Sequence, residues 1–196
     1  MKAAVWSSLC VLAFVALPSQ EANGIEGRVL IFEPTVAVRC PLTVGGSFDA
    51  KTTSLGGELA IDPQKQGELD GSLAVDLRTL QTGIKLRDTH MRENYLEVQK
   101  GPGYDQAVLT RLRLDGNTAA QVGKVGFTGI LAVHGVQREV TGTADIRRDG
   151  EGLRVQASFP VKVSEFAIAS PSYLGVGVRD EVTVAVTFHA MTRRTN

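Results

Sequence analysis

Apolar residues recur at every second position through most of this chain, a period that confines it to β-strands with one face in a core and the other in water. Val36, Val38, Cys40, Leu42 and Val44 form one such set, followed by Gly57, Leu59 and Ile61, by Leu73, Val75 and Leu77, and by Val108, Thr110, Leu112 and Leu114. The second half continues with Val125, Phe127, Gly129, Leu131 and Val133, then Val140, Gly142, Ala144 and Ile146, then Val155, Ala157, Phe159, Val161 and Val163. Val182, Val184, Val186 and Phe188 close the series, and a short strand near Val29 to Phe32 opens it, so about eight or nine strands are expected. Asp115-Gly116-Asn117, His134-Gly135 and Asp149-Gly150 supply tight turns, and short connections favour antiparallel neighbours. Strands with one apolar face either close into a barrel or stack as a sandwich, and the alternation is the same in both.

Two segments break the pattern. From Gly83 to Gly103 the spacing of Ile84, Met91, Tyr95 and Val98 is partly helical, and Gly101-Pro102-Gly103 stops any helix there. From Ser164 to Asp180, Phe166, Ile168, Pro171, Tyr173 and Leu174 mix with Gly175 and Gly177, which predicts a loop or short helix over one mouth. No repeat, low-complexity tract or second domain interrupts the rest.

Met1-Lys2, the apolar run Ala3 to Leu17 and the polar end Pro18 to Ala22 have the organisation of a secretory signal, too short for the ~20 residues that span a bilayer. Residues 1–22 are therefore expected to be a cleaved signal peptide and 23–196 one β-domain, in the periplasm or secreted. Of the 2 Cys, Cys10 would leave with the signal and Cys40, in the apolar register of its strand, would remain as a buried, inert thiol. The formal net charge of +0 gives no electrostatic footprint for nucleic acid or an anionic membrane surface.

Catalytic signatures fail residue by residue. His90, His134 and His189 stand apart, without the spacing of a metal site. Ser47 follows Gly45-Gly46, but Asp49 occupies the place where a nucleophile elbow needs Gly. Gly175-Val-Gly-Val-Arg-Asp180 begins like a dinucleotide fingerprint and lacks its last Gly, so it reads as a turn. The inward sets are mostly Val, Leu, Ala and Gly, and aromatic residues make up 6% of the chain. So little bulk fills a barrel poorly and favours an apolar cavity.

The candidate binding residues follow from this. Arg87 and Asp88 either orient a ligand head group or fix the start of the helix. His90 either reaches a head-group oxygen or stays on a solvated face. Met91 and Leu96 point to the barrel, as core or as tunnel wall, with Leu86 beside them. Phe48, Phe127, Phe159, Phe166 and Tyr173 are core or ligand wall in the same sense.

A family becomes recognisable in the polar island between strands. A Thr82-Gly83 turn, Arg87-Asp88-x-His90-Met91-Arg92 and Tyr95-Leu96-Glu97-Val98 together resemble the secreted bacterial YceI-like family of lipid-binding barrels. Gly129 to Val140, Val163-Ser-Glu-Phe-Ala-Ile168 and Val178-Arg-Asp-Glu-Val182 extend the resemblance over roughly Phe48 to Phe188. It implies an all-β fold, a lipocalin-like extended antiparallel barrel of about eight strands with one short helical insertion near residues 84–98. It further implies non-catalytic binding, storage or transport of an isoprenoid lipid, either a polyprenyl phosphate or a quinone tail, without cofactor or metal. Transient contact with a membrane or membrane protein, and a homodimer, are compatible with that role. The alternatives are a dry interaction barrel and a partner of a quinone-dependent redox enzyme. Three places depart from the family pattern: Thr52 stands where many relatives carry His, Gly103-Tyr-Asp-Gln-Ala-Val108 stands where many carry an aromatic after the Pro-containing turn, and the usual Phe-Gly pair is Phe166-Ala167.

Overall fold

A computed structural model of the chain describes residues 27–62, 64–116, 122–170, 172–173 and 176–194. The expected signal segment, residues 1–22, lies outside them. Nine strands form one antiparallel sheet: β1 (Gly27–Pro41), β2 (Ser47–Thr52), β3 (Leu55–Ile61), β4 (Glu68–Asp76), β5 (Gln106–Leu114), β6 (Gly123–Val133), β7 (Val136–Asp149), β8 (Gly152–Lys162) and β11 (Glu181–Arg194). The two-residue strands β9 (Ser172–Tyr173) and β10 (Val176–Gly177) pair only with each other.

The long first strand closes the sheet. One edge of β1 pairs with β11, while its other edge meets β3 through Gly27 to Val29 and β2 through Val36 to Pro41. β2 and β3 thus occupy successive stretches of one edge, and the ring is a closed eight-stranded antiparallel barrel, with the sandwich reading set aside. Closure leaves no long unpaired edge in the ring, which removes the usual aggregation hazard of a β-domain.

β-bulges shift the alternation in three places. In β1, Phe32 faces His189 and Thr35 faces Thr187, so three steps on β1 match two on β11. Glu33 takes the extra step in a left-handed conformation (φ 47°). Val29 and Ile31 before it, and Val36, Val38 and Cys40 after it, can therefore all pack inward, and the two expected strands are one. In β5 the same event occurs at Arg111 (φ 50°), between the pairs Thr110–Ile130 and Arg113–Thr128. β4 shifts against β5 between Leu69 and Ser72.

Two expectations are corrected, one by a bulge and one by the end of a strand. In β5, Ala107 and Leu109 pack on the core before the bulge and Leu112 and Leu114 after it. Val108 instead shares an outer cleft with Ala132, so the single set Val108, Thr110, Leu112, Leu114 was divided by the inserted residue. Leu42 and Val44 do not continue the inward face of β1 either, because the strand ends at Pro41, whose ring removes a ladder donor, and the loop that follows leaves Val44 68% exposed.

The core has two parts. Leu59, Leu69 and Leu73 form a small cluster under β3 and β4. A larger one runs under β6, β7, β8 and β11, and Leu109, Leu112 and Leu114 touch both. Phe127 and Phe159 meet edge to face (centroids 5.8 Å apart, planes at 84°), which Gly142 makes possible: a Cβ there would stand 2.6 Å from the Phe127 ring. At one end, hereafter the capped end, lie the β1–β2 loop, the long β4–β5 insertion, the β6–β7 turn and the β8–β11 connection.

Candidate functional site: the barrel lumen and its capped mouth

Inside the larger cluster, several inward side chains keep accessible surface although every strand beside them is hydrogen-bonded. Val38 and Val184 face each other across β1 and β11, and Phe159 flanks Val184 from β8. The next row is Val36, Val186, Ala157, Ala144 and Val125, contributed by five adjacent strands. Val36, Ala144 and Val125 are buried, whereas Val38, Val184, Val186 and Ala157 are only half-buried. In a closed wall, half-buried inward aliphatics keep apolar surface that neighbouring side chains do not fully cover.

The mouth is covered by the insertion after β4. A short helix α1 (Lys85–His90) runs into one wide turn, Met91–Tyr95, closed by the Leu96 amide donating to the Met91 carbonyl five residues back (2.9 Å). Ile84, at the helix start, offers no side-chain cap. Asp88 replaces it by reaching back: its carboxylate accepts from the Thr82 amide (2.6 Å) and from the Thr82 hydroxyl. Arg87 donates from Nε to the Thr82 hydroxyl (2.8 Å) and from Nη2 to the Thr82 carbonyl (3.1 Å), and lies 4.0 Å over the Phe48 ring. The pair therefore fixes the helix start, and through Phe48 it fastens the helix to β2.

Asp88 is 7% exposed. Burial pushes its carboxyl up, but the Thr82 hydrogen bonds and the charges of Arg92 and Arg87 outweigh it and hold the group below the usual carboxylate range. A lowered folded value means that Asp88 stabilises the fold above the unfolded value of ~3.9 and that this contribution is lost as pH falls through the folded value. Asp88→Ala is expected to cost about 2 kcal/mol at neutral pH and to flatten the acid limb of the stability profile, both measurable by urea melts. An unchanged acid limb would exclude this role.

Cys40, opposite Phe48 in the β1–β2 ladder, is a buried free thiol as expected. Burial, then the Asp49 charge, push it up to about 11, and Arg87 opposes them only in part.

A second knot joins three connections at the same end. His134 is 9% exposed and occupies the first place of the β6–β7 turn, where it and Gly135 both have positive φ (53° and 74°), as a two-residue hairpin turn requires. Its Nδ1 faces the Phe166 carbonyl (3.1 Å) and its Nε2 a Glu97 carboxylate oxygen (2.9 Å). Lys100, then His134, hold the Glu97 carboxyl below the usual carboxylate range against the opposing effect of burial. Tyr104 stacks edge-on against the ring at 4.8 Å.

Of the positions selected from the sequence, Phe127, Phe159 and Phe166 are buried in the larger cluster, and Phe48, Met91 and Leu96 pack against it half-buried. Leu86 (67% exposed) and His90 do not join them: both point to solvent from α1, because the apolar period of this short helix is too brief to turn them inward. The Tyr173 side chain lies outside the described residues. His134, Glu97 and Thr82 were not selected. A turn-forming His-Gly pair carries no sign of burial, and the partners of His134 lie more than thirty positions off in sequence. Among the described residues no cluster of His, Cys, Asp and Glu could hold a metal ion.

Two of the departures from the family pattern, at Thr52 and Ala167, have local accounts. Thr79 donates its hydroxyl proton to the Asp76 carbonyl (2.6 Å), so Thr52 donates to Thr79 (2.6 Å) and accepts from the Ser54 amide (3.0 Å), tying β2 to the turn after β4. Ala167 stands in the left-handed region (φ 56°, ψ 24°), where a Cβ is strained and Gly is not. Ala167→Gly is expected to stabilise the protein by about 1 kcal/mol in thermal melts, and a lower melting temperature would contradict it.

The YceI-like domain family model matches residues 33–190. No curated protein sequence matches the chain directly. Among solved structures, BcnA from Burkholderia cenocepacia is 18% identical, with 80% of this chain and 94% of that one covered and a TM-score of 0.61. A polyisoprenoid binding domain from Saccharophagus degradans is 15% identical, with 86% and 99% covered and the same TM-score of 0.61. The Campylobacter jejuni YceI protein is 16% identical, with 72% and 82% covered and a TM-score of 0.51. At these identities the likeness is one of fold.

Proposed function

Because the chain belongs to the YceI-like domain family, we propose that it binds and carries an apolar chain of the isoprenoid class in the barrel lumen. The observation that carries this reading is the half-buried inward row Val38, Val184, Val186 and Ala157, flanked by Phe127 and Phe159. Apolar wall of this kind stabilises an alkyl chain by about 0.8 kcal/mol per methylene removed from water, so about ten methylenes supply ~8 kcal/mol before ordering costs. The Saccharophagus degradans relative, described as a polyisoprenoid binding domain, supports the same ligand class.

The role is carriage without bond-making. The head group, a phosphate or a quinone ring, sits at the capped mouth, where His90 is exposed and Arg87 is already engaged by Thr82 and Phe48. The amino-terminal signal-like segment directs this activity to the periplasm or the exterior.

The test is to express the chain with its own amino-terminal segment, purify it without detergent, extract it with organic solvent and identify the lipids by mass spectrometry. A stoichiometric isoprenoid is expected. No lipid above a control protein, even after polyprenyl lipids are offered in vitro, would leave a dry interaction barrel as the better account.

A further inference from the structure

The insertion over the capped mouth is fastened to the barrel by its feet. Before it, Lys51 and Gln81 exchange backbone hydrogen bonds (2.8 and 3.0 Å). After it, the Leu77 amide donates to the Asp105 carbonyl (2.9 Å) and the Gly135 amide to the Gly103 carbonyl (2.9 Å). Between the feet, among the described residues, no backbone hydrogen bond joins residues 84–100 to a strand, and those the span makes close on itself. Gly83 and Gly101 bound this span, both at positive φ (83° and 80°), and a Cβ on either would meet nothing within 4 Å, so both joints turn in open space.

Side chains hold the span only thinly. Asp88 and Arg87 bond to Thr82 on the near foot, which shapes the span without tying it to a strand. Met91, Leu96 and Val98 pack half-buried on the larger cluster, and Ile84 and Leu86 are exposed. Polar contacts reach further at Arg87 over Phe48, at Arg92 Nη1 on the Arg78 and Leu80 carbonyls (3.1 and 3.4 Å), and at Glu97 on His134 Nε2 (2.9 Å). Glu97 stands in the left-handed region (φ 51°, ψ 38°), strained for a residue with a Cβ, and its bonds to His134 and Lys100 keep it there. Parting from His134 therefore frees the far end of the span and lets the strain relax.

What lies under this cover is shut. Val133, Val161 and Val182, the inward residues nearest the capped end on β6, β8 and β11, are buried, whereas Ala157, Val184 and Val186 farther down are half-buried. We propose that residues 84–100 are a lid that opens as one piece about Gly83 and Gly101, with Glu97 on His134 as its catch, and that opening uncovers the lumen at the capped end. A span with anchored feet and little buried apolar surface opens at a lower free energy than the strands beside it. Its use as a door for cargo rests on the carrier reading, but the motion does not.

Hydrogen exchange followed by NMR on the purified protein tests the motion. The bonded amides of Asp88, Met91, Leu96 and Lys100 are expected to share one opening free energy, below that of β6 and β7. Glu97→Ala should speed exchange about tenfold at all of them, from α1 to the far foot, and leave β6 and β7 unchanged, while Glu97→Gln, which can still accept from His134, should restore most of the protection. Separate opening free energies, a change in Glu97→Ala confined to Leu96 and Lys100, or an equal loss of protection in the strands would overturn the lid. Uptake of the apolar fluorophore N-phenyl-1-naphthylamine, by protein stripped of lipid on a hydrophobic resin, tests the door. Its rate should level off with probe concentration, and Glu97→Ala should raise the plateau about tenfold. A rate that keeps climbing and ignores Glu97→Ala would put the entrance at the other end of the barrel and overturn the door. No uptake, with the lid amides still opening together, would sink the carrier reading and leave the lid standing.

Discussion

If the lumen carries an isoprenoid as proposed, a tryptophan in place of Val184 is expected to strip it from the purified protein while leaving the protein folded. Val184 points inward from β11 between Val38 and Phe159 and keeps accessible surface there. An indole at that point takes up lumen that an alkyl chain would occupy. Excluding about four methylenes removes ~3 kcal/mol, which is roughly a hundredfold in affinity. If the row lines free space, as the carrier reading requires, the melting temperature should change little. Val182→Trp is the contrast: Val182 is buried against Val161, so the same indole overpacks the wall and lowers stability by about 1–3 kcal/mol. Undiminished lipid in Val184→Trp would mean that the cargo does not lie along this row, and a large loss of stability would mean that the row is already filled.

Phe166→Ala is expected to be the most damaging single truncation, at about 3–5 kcal/mol. The ring is 1% exposed, deep in the larger cluster, while the residue's carbonyl receives His134 from the opposite turn. Loss of the ring therefore leaves a cavity and loosens the connection that His134 and Glu97 share with it. For a domain of this size the cost corresponds to a fall of roughly 10–15 °C in Tm, a large share of the 5–15 kcal/mol that holds a typical domain folded. His134→Ala should also destabilise, and the double variant should lose less than the sum, since each single change already breaks the shared contact. Simple additivity in that cycle, or a fall of only a few degrees for Phe166→Ala, would show that the 163–166 turn is not anchored in this way.

Much of this molecule was legible before any coordinates, because a period of two is a statement about which atoms can reach the core. The inward sets of β6, β7, β8 and β11 stand as the alternation placed them, and the helical insertion lies where polar residues and Gly-Pro-Gly interrupt it. Where the alternation failed, a bulge intervened in β5 and the end of β1 at Pro41 cut its set short. Nothing about Glu33 or Arg111 marks it as left-handed, since the extra residue is imposed by the curvature of a closing sheet on whatever side chain stands there. The binding residues divide in the same manner. Phe127, Phe159 and Phe166 were chosen for bulk and are buried, but Leu86 was chosen for apolarity and faces water.

By itself, then, the sequence determined the class of fold, the number of strands within one and the place of the helical cover, because each follows from local periodicity and turn chemistry. Only the tertiary structure decided that β1 closes the ring, that Asp88 and Arg87 hold the insertion to β2, and that His134 joins Glu97 to Phe166. Apart from the Asp88–Thr82 contact, those decisions bring together residues tens of positions apart. The free energy that makes them is set by burial and by acceptors facing donors in space, and for the distant pairs no short stretch of sequence contains both partners.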